Sequence, residues 1–168
     1  MILVTCHRRE NHGKPLEDIC AAILKIVNTH ADVEVVFPVH LNPNVLTLVH
    51  DRLGNHPQIR LEKPLNYPEF AAYMQASDLL LTDSGGVQEE APYFKKPIFV
   101  MRESTERPEG INAGVAALVG ADVEKIFALV SRALTDPQYY ASFQKAVNPY
   151  GDGHASEKIL TLLGFTQK

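Results

Sequence analysis

Asp78-Leu79-Leu80-Leu81-Thr82-Asp83-Ser84-Gly85-Gly86-Val87-Gln88-Glu89-Glu90 decides the fold of this chain. Asp78–Thr82 reads as a strand, and its run of leucines leaves no polar face, so both faces are covered. Asp83-Ser84-Gly85-Gly86 closes the strand, with a helix expected from about Val87 to Phe94. A strand buried on both faces that passes through a glycine turn into a helix is a unit of a parallel sheet. Parallel strands cannot be joined by hairpins and need such crossovers.

The same unit recurs in both directions. Upstream, strands are expected at Ile2–Thr5, Val33–Val39 and Ile59–Leu61, and helices at Leu16–Thr29, Pro43–Leu53 and Asn66–Ala76. Leu16, Ile19, Cys20, Ile23, Ile26 and Val27 form one helical stripe. Downstream, Pro97–Val100 and Val115–Val119 are strands, separated by the polar loop Arg102–Gly110. Asp122 and Asp136 are N-caps of two further helices, to about Leu134 and Ala146, and His154–Leu163 is the last helix. Six strands alternating with helices predict a doubly wound, Rossmann-like parallel sheet, whose ligands bind beyond the carboxyl ends of the strands.

The 168 residues are enough for one domain with a sizeable core. Hydrophobic residues make up 45% and charged residues 21%, and the net charge is −4. That balance argues against nonspecific nucleic-acid binding. No apolar run reaches the roughly 20 residues of a membrane span. Met1–Glu10 has its basic residues on the wrong side of its apolar run for a signal peptide. Cys6 and Cys20 make neither a disulfide framework nor a zinc site and read as small buried residues. A cytoplasmic protein is expected.

Four loops at the expected ligand-binding end carry chemistry. At Ser84-Gly85-Gly86 the glycines permit close backbone approach, free N–H groups favour a phosphate, and a carboxylate one turn later can accept from ribose hydroxyls. The spacing matches neither GxGxxG nor GxxxxGK[ST], and an ordinary capped turn is the plain alternative. His7-Arg8-Arg9-Glu10-Asn11-His12 puts cations and a proton-transferring histidine after the first strand, and His40 follows the second. His7, His12 and His40 lack a partner at diagnostic spacing, so no metal is expected. Arg102–Glu109 has arginines that either reach a phosphate or pair with their acidic neighbours. Phe70 either stacks on a base or fills the core. Together these residues indicate a nucleotide or phosphorylated ligand without naming a reaction.

Val4–Asn11 (VTCHRREN), Phe37–Val45 (FPVHLNPNV), Leu81–Pro92 (LTDSGGVQEEAP), Lys96–Gly110 (KPIFVMRESTERPEG) and Asn148–Ser156 (NPYGDGHAS) strongly resemble the C-terminal half of the non-hydrolysing UDP-N-acetylglucosamine 2-epimerases. The resemblance covers essentially the whole chain. It implies one half of a glycosyltransferase-B arrangement, with residues 1–168 as a single UDP-sugar-binding domain. Such enzymes interconvert UDP-N-acetylglucosamine and UDP-N-acetylmannosamine by eliminating and re-adding UDP, without metal or nicotinamide, for bacterial surface polysaccharides. The resemblance places Ser84, Gly85 and Gly86 at the diphosphate, Glu90 at the ribose, Phe70 and the Leu65 backbone at uracil, and Arg107 at the substrate. His7 matches the catalytic histidine, and Arg8 and His40 match contacts to a second, activating UDP-N-acetylglucosamine.

The family's N-terminal domain, which carries the carboxylates for acid–base work at C2, is absent from this sequence. The chain alone is therefore expected to be inactive, and its association, including as a homodimer, is left open. Two other readings are the UDP-binding half of a related glycosyltransferase and a non-enzymatic receiver-like module with Asp83 as acceptor.

Overall fold

The computed structural model describes residues 1–165. Among them, six strands form one parallel sheet: β1 (Ile2–Thr5), β2 (Val35–Pro38), β3 (Ile59–Glu62), β4 (Leu79–Thr82), β5 (Ile98–Val100) and β6 (Ala116–Leu118). The crossovers are α1 (Lys14–Thr29), α2 (Pro43–Leu53), α3 (Tyr67–Ala76), α4 (Gly85–Glu90) and α5 (Pro108–Asn112), and α6 (Val123–Thr135), α7 (Pro137–Lys145) and α8 (Ala155–Leu162) follow β6. The strand order is β3-β2-β1-β4-β5-β6. This is the order of the doubly wound dinucleotide-binding sheet and differs from the flavodoxin-like order of receiver domains.

Alternate strand residues feed two cores. Ile2, Val4, Val35, Phe37, Leu79, Leu81 and Phe99 face the buried stripe of α1 and residues of α2, α6 and α7. Leu3, Val36, Leu80, Ile98 and Val100 face Met74 of α3 and Val87 of α4. Covering both faces is what makes the strands continuously apolar. Helix starts are fixed by side-chain caps: Asn42 accepts from the Asn44 N–H (3.0 Å), Asn66 and Glu69 form a capping box, and Asp122 accepts from the Lys125 N–H (2.8 Å). Asp136 accepts from both Gln138 and Tyr139 N–H groups at 3.0 Å.

Two elements differ from the sequence reading. The helix expected from Val87 begins at Gly85, because Ser84 is its N-cap and accepts from the Val87 N–H (3.4 Å). It tightens into a 3-10 turn at Ala91–Phe94. The glycines therefore occupy the first helical turn, and Asp83-Ser84 makes the bend. The loop read over Arg102–Gly110 ends in the short α5, started by Pro108 in its first turn.

All of α8 is exposed, including Ile159 (55%) and Leu162 (87%). Deleting the chain from His154 onward is expected to change stability by less than ~1 kcal/mol, or under about 4 °C in Tm by calorimetry. A fall of 10 °C or more, on the order of several kcal/mol, would mean that α8 is docked on the body.

Candidate functional site

The strand order reverses between β1 and β4, and the residues following those strands meet there. The hydroxyls of Thr5 and Thr82 bond across the strand ends at 2.6 Å, and Thr82 Oγ1 also accepts from the Ser84 N–H (3.0 Å). Asp83 is fully buried. Its carboxylate accepts from the His7 N–H (3.0 Å), the Arg8 N–H (2.9 Å) and Asn11 Nδ2 (2.9 Å). Asn11 Nδ2 also donates to the Met101 carbonyl (3.1 Å), so one carboxylate and one amide tie the β1, β4 and β5 ends together. Burial and the neighbouring Asp83 raise the Cys6 thiol well above its usual range, and burial pushes Cys20 up to about 12. Neither sulfur is a nucleophile at neutral pH.

Beside this bend lies a cleft of ≈ 230 Å³. Pro38, Pro64, Leu65, Phe70 and Val87 give it an apolar wall, while His7, His40 and Ser84 supply polar groups. The half-buried Phe70 ring packs on the α3–α4 core and also lines the cleft. The imidazoles of His7 and His40 stack with centroids 6.2 Å apart and planes at 26°.

At the start of α4 two guanidiniums converge. A Cβ placed on Gly85 would lie 3.3 Å from an Arg8 terminal nitrogen and 3.9 Å from one of Arg107. On Gly86 the nearest atoms would be Glu90 Oε1 at 3.8 Å and Ser84 Oγ at 3.9 Å. First-turn N–H groups have no intrahelical acceptor. Among the described residues, Arg8 Nε is buried without a hydrogen-bond partner. An unsatisfied cationic donor beside open backbone N–H groups is a place where an anion lowers the energy.

The Arg107 loop is held from beneath. Gln88 Oε1 accepts from Thr105 Oγ1 (2.6 Å), which accepts in turn from the Arg107 N–H (3.1 Å). The Tyr150 hydroxyl donates to the Arg107 carbonyl (3.3 Å) and accepts from the Gly110 N–H (3.0 Å). Arg102, with a side chain only 6% exposed, bonds Glu10 (2.6 Å) and both oxygens of Glu106 (2.5 and 3.0 Å). Its guanidinium holds Glu106 at about 2. A depressed carboxylate contributes above its ordinary value and ceases to as pH falls through its folded one, so this pair persists down to about pH 2.

The profile of the UDP-N-acetylglucosamine 2-epimerase family matches residues 1–164. This chain belongs to that family. The UDP-N-acetylglucosamine 2-epimerase of Bacillus subtilis is 49% identical over 98% of this chain and 43% of its own length. The S. aureus MnaA–UDP co-structure superposes with a TM-score of 0.91 at 40% identity, covering 99% of this chain and 47% of its own. The Neisseria meningitidis UDP-GlcNAc 2-epimerase bound to UDP-GlcNAc gives 0.91 at 40% identity, covering 98% and 44%. The chain thus spans less than half the length of these relatives. The C-terminal domain of a group 1 glycosyl transferase from Francisella tularensis shares the fold alone, with a TM-score of 0.63 at 16% identity.

In this epimerase-family chain, His7, His40, Leu65, Phe70 and Ser84 line one cleft, and Arg8, Arg107, Gly85 and Gly86 meet at its edge. Glu90 follows one turn further along α4, with Oε1 3.8 Å from a Cβ placed on Gly86. It lines an adjoining cleft with Tyr67, Tyr150 and Gly151, where its carboxylate holds the Tyr67 phenol above the usual range. Of the arginines in the Arg102–Glu109 segment, Arg102 is enclosed by Glu10 and Glu106, while Arg107 pairs with Glu89 through Nε and turns a terminal nitrogen toward Gly85. Asp83, Asn11, Gln88 and Tyr150 organise the site without having been singled out for it. Their only signal in the sequence was membership in the polar stretches after β1 and β4 and before α8, because the bonds that fix them come from other loops. Among the described residues no group of three or more His, Cys, Asp or Glu side chains is placed to hold a metal ion, and no helix is long and apolar enough to cross a membrane.

Proposed function

We propose that residues 1–168 form the UDP-binding half of a UDP-N-acetylglucosamine 2-epimerase, a single UDP-sugar-binding domain that completes its active site with the half it lacks. The observation that carries this reading is the convergence of Arg8 and Arg107 on the Gly85 turn, with a buried Arg8 donor unpaired, beside an apolar cleft. The diphosphate sits against Gly85, Gly86 and Ser84, uracil lies along Phe70 and Leu65, and Glu90 receives the ribose at the junction of the two clefts. His7 faces the sugar side of the diphosphate, where UDP leaves and returns in the family reaction. Arg8, which the resemblance assigns with His40 to a second UDP-sugar, is placed here at the same diphosphate because its terminal nitrogen lies beside Gly85, and His40 extends the cleft toward the place of that second UDP-sugar. The names of the relatives with bound UDP and UDP-GlcNAc support this ligand class.

Titration calorimetry tests the assignment. UDP is expected to bind weakly and more tightly than GDP, since the Leu65 backbone is placed to read the edge of uracil, and equal binding of the two would remove uracil recognition. In Gly86→Val the new side chain meets nothing closer than 3.8 Å at its Cβ, so the domain should fold normally. UDP affinity should nevertheless fall at least about tenfold, the loss expected when a charge-assisted hydrogen bond is blocked. Unchanged affinity in a folded variant would move the diphosphate elsewhere.

A further inference from the structure

The two stacked histidines have different neighbours at Nδ1. His7 Nδ1 lies 3.4 Å from Asp83 Oδ1, and that carboxylate is fully buried while the imidazole is 41% exposed. The carboxylate cannot swing away, because the His7, Arg8 and Asn11 donors fix both its oxygens. An ionised carboxylate only accepts, so a bare Nδ1 facing it would set lone pair against lone pair. The stable neutral form of His7 therefore carries its proton on Nδ1 and leaves Nε2 bare. His40 is held the opposite way. Its Nδ1 accepts from the Asn42 N–H at 3.1 Å, so that nitrogen must be bare and the neutral ring carries its proton on Nε2.

We infer that Asp83 and the Asn42 backbone lock His7 and His40 in opposite neutral tautomers, so that one cleft presents a proton acceptor and a proton donor side by side. Asp83 is a positioning residue that acts through His7. The His7 Nε2 can take a proton, and the resulting cation is balanced by Asp83. The His40 Nε2–H can donate to a phosphate oxygen without the ring being charged. This division of labour would let the cleft hold an anion and accept a proton at one pH. Its functional meaning rests on the proposed UDP site, but the tautomers do not, because they are fixed by contacts within the chain.

The test uses the ¹⁵N-labelled chain without nucleotide, so failure to bind UDP cannot be confused with failure of this inference. Long-range ¹H–¹⁵N correlation spectra are recorded on the alkaline plateau, where the ring signals no longer move with pH. His7→Gln and His40→Gln assign the two rings by deletion. The expected spectrum shows His7 protonated at Nδ1 and His40 at Nε2. Finding both rings in the same tautomer, or His7 protonated mainly at Nε2, overturns the inference. In Asp83→Asn the His7 ring is expected to shift toward the Nε2–H form while His40 stays as it was. An unchanged His7 in that folded variant assigns no role to Asp83 and also overturns it. Should the variant fail to fold, the wild-type spectrum alone decides.

Discussion

UDP-N-acetylglucosamine incubated with this chain in deuterated water is expected to gain no deuterium at C2. Exchange there needs a base within hydrogen-bond reach of a carbon-bound proton and a donor for the departing UDP. The wall of the cleft offers His7, His40 and Ser84 and no carboxylate. Of the nearby acids, Glu10 and Glu106 are engaged by Arg102, Glu89 by Arg107 and Asp83 by backbone N–H groups, while Glu90 is assigned to the ribose. A missing general base removes about 10²–10⁴ in rate, and the facing wall that would orient the sugar and exclude water contributes further. NMR of the C2 proton is the sensitive readout, because it reports deprotonation without net epimerisation. Incorporation that His7→Ala abolishes would place a complete apparatus in this chain. Adding the missing half should restore both exchange and product.

Replacing Arg8 and Arg107 together by alanine should reduce UDP binding by about 10²–10⁴-fold. Each charged hydrogen bond contributes roughly 1.5–3 kcal/mol, and neighbouring sites add imperfectly, so the lower part of the range is the safer expectation. Folding should survive. Asp83 holds the Arg8 backbone, not its side chain, and Thr105 holds the Arg107 backbone. Calorimetry measures the loss, and circular dichroism with thermal melting verifies the fold. A folded double variant that binds UDP as well as the parent chain removes the diphosphate from the Gly85 turn.

The sheet was legible because its strands are apolar on both faces, and the ends of α6 and α7 because Asp122 and Asp136 are capping residues in register. The cluster of site residues was legible through topology, since loops after parallel strands share one end of the sheet. What stayed hidden depends on which way a side chain turns. Arg102 and Arg107 lie in the same charged segment, yet one is enclosed by Glu10 and Glu106 and the other reaches Gly85. Their partners come from other loops, so local charge patterning cannot separate them. Asp83 enters the sequence reading only as the end of a strand and the acceptor of a receiver-like module, and it takes the convergence of the His7, Arg8 and Asn11 donors to make it a buried anchor.

The position of β1 at the middle of the sheet has a consequence for how the molecule is born. Ile2 pairs with Val35 on one side and with Leu79 on the other, 77 residues away. Loop closure over such a distance must precede the contacts that reward it, which slows folding relative to helical bundles. At a synthesis rate of about 5–20 residues per second, β4 leaves the ribosome some 4–15 s after β1. During that interval the future centre of the sheet is an open edge with unpaired backbone groups and apolar faces on both sides. Ile2–Thr5 is therefore open to wrong pairing during synthesis, although in the finished domain it is buried and paired on both sides.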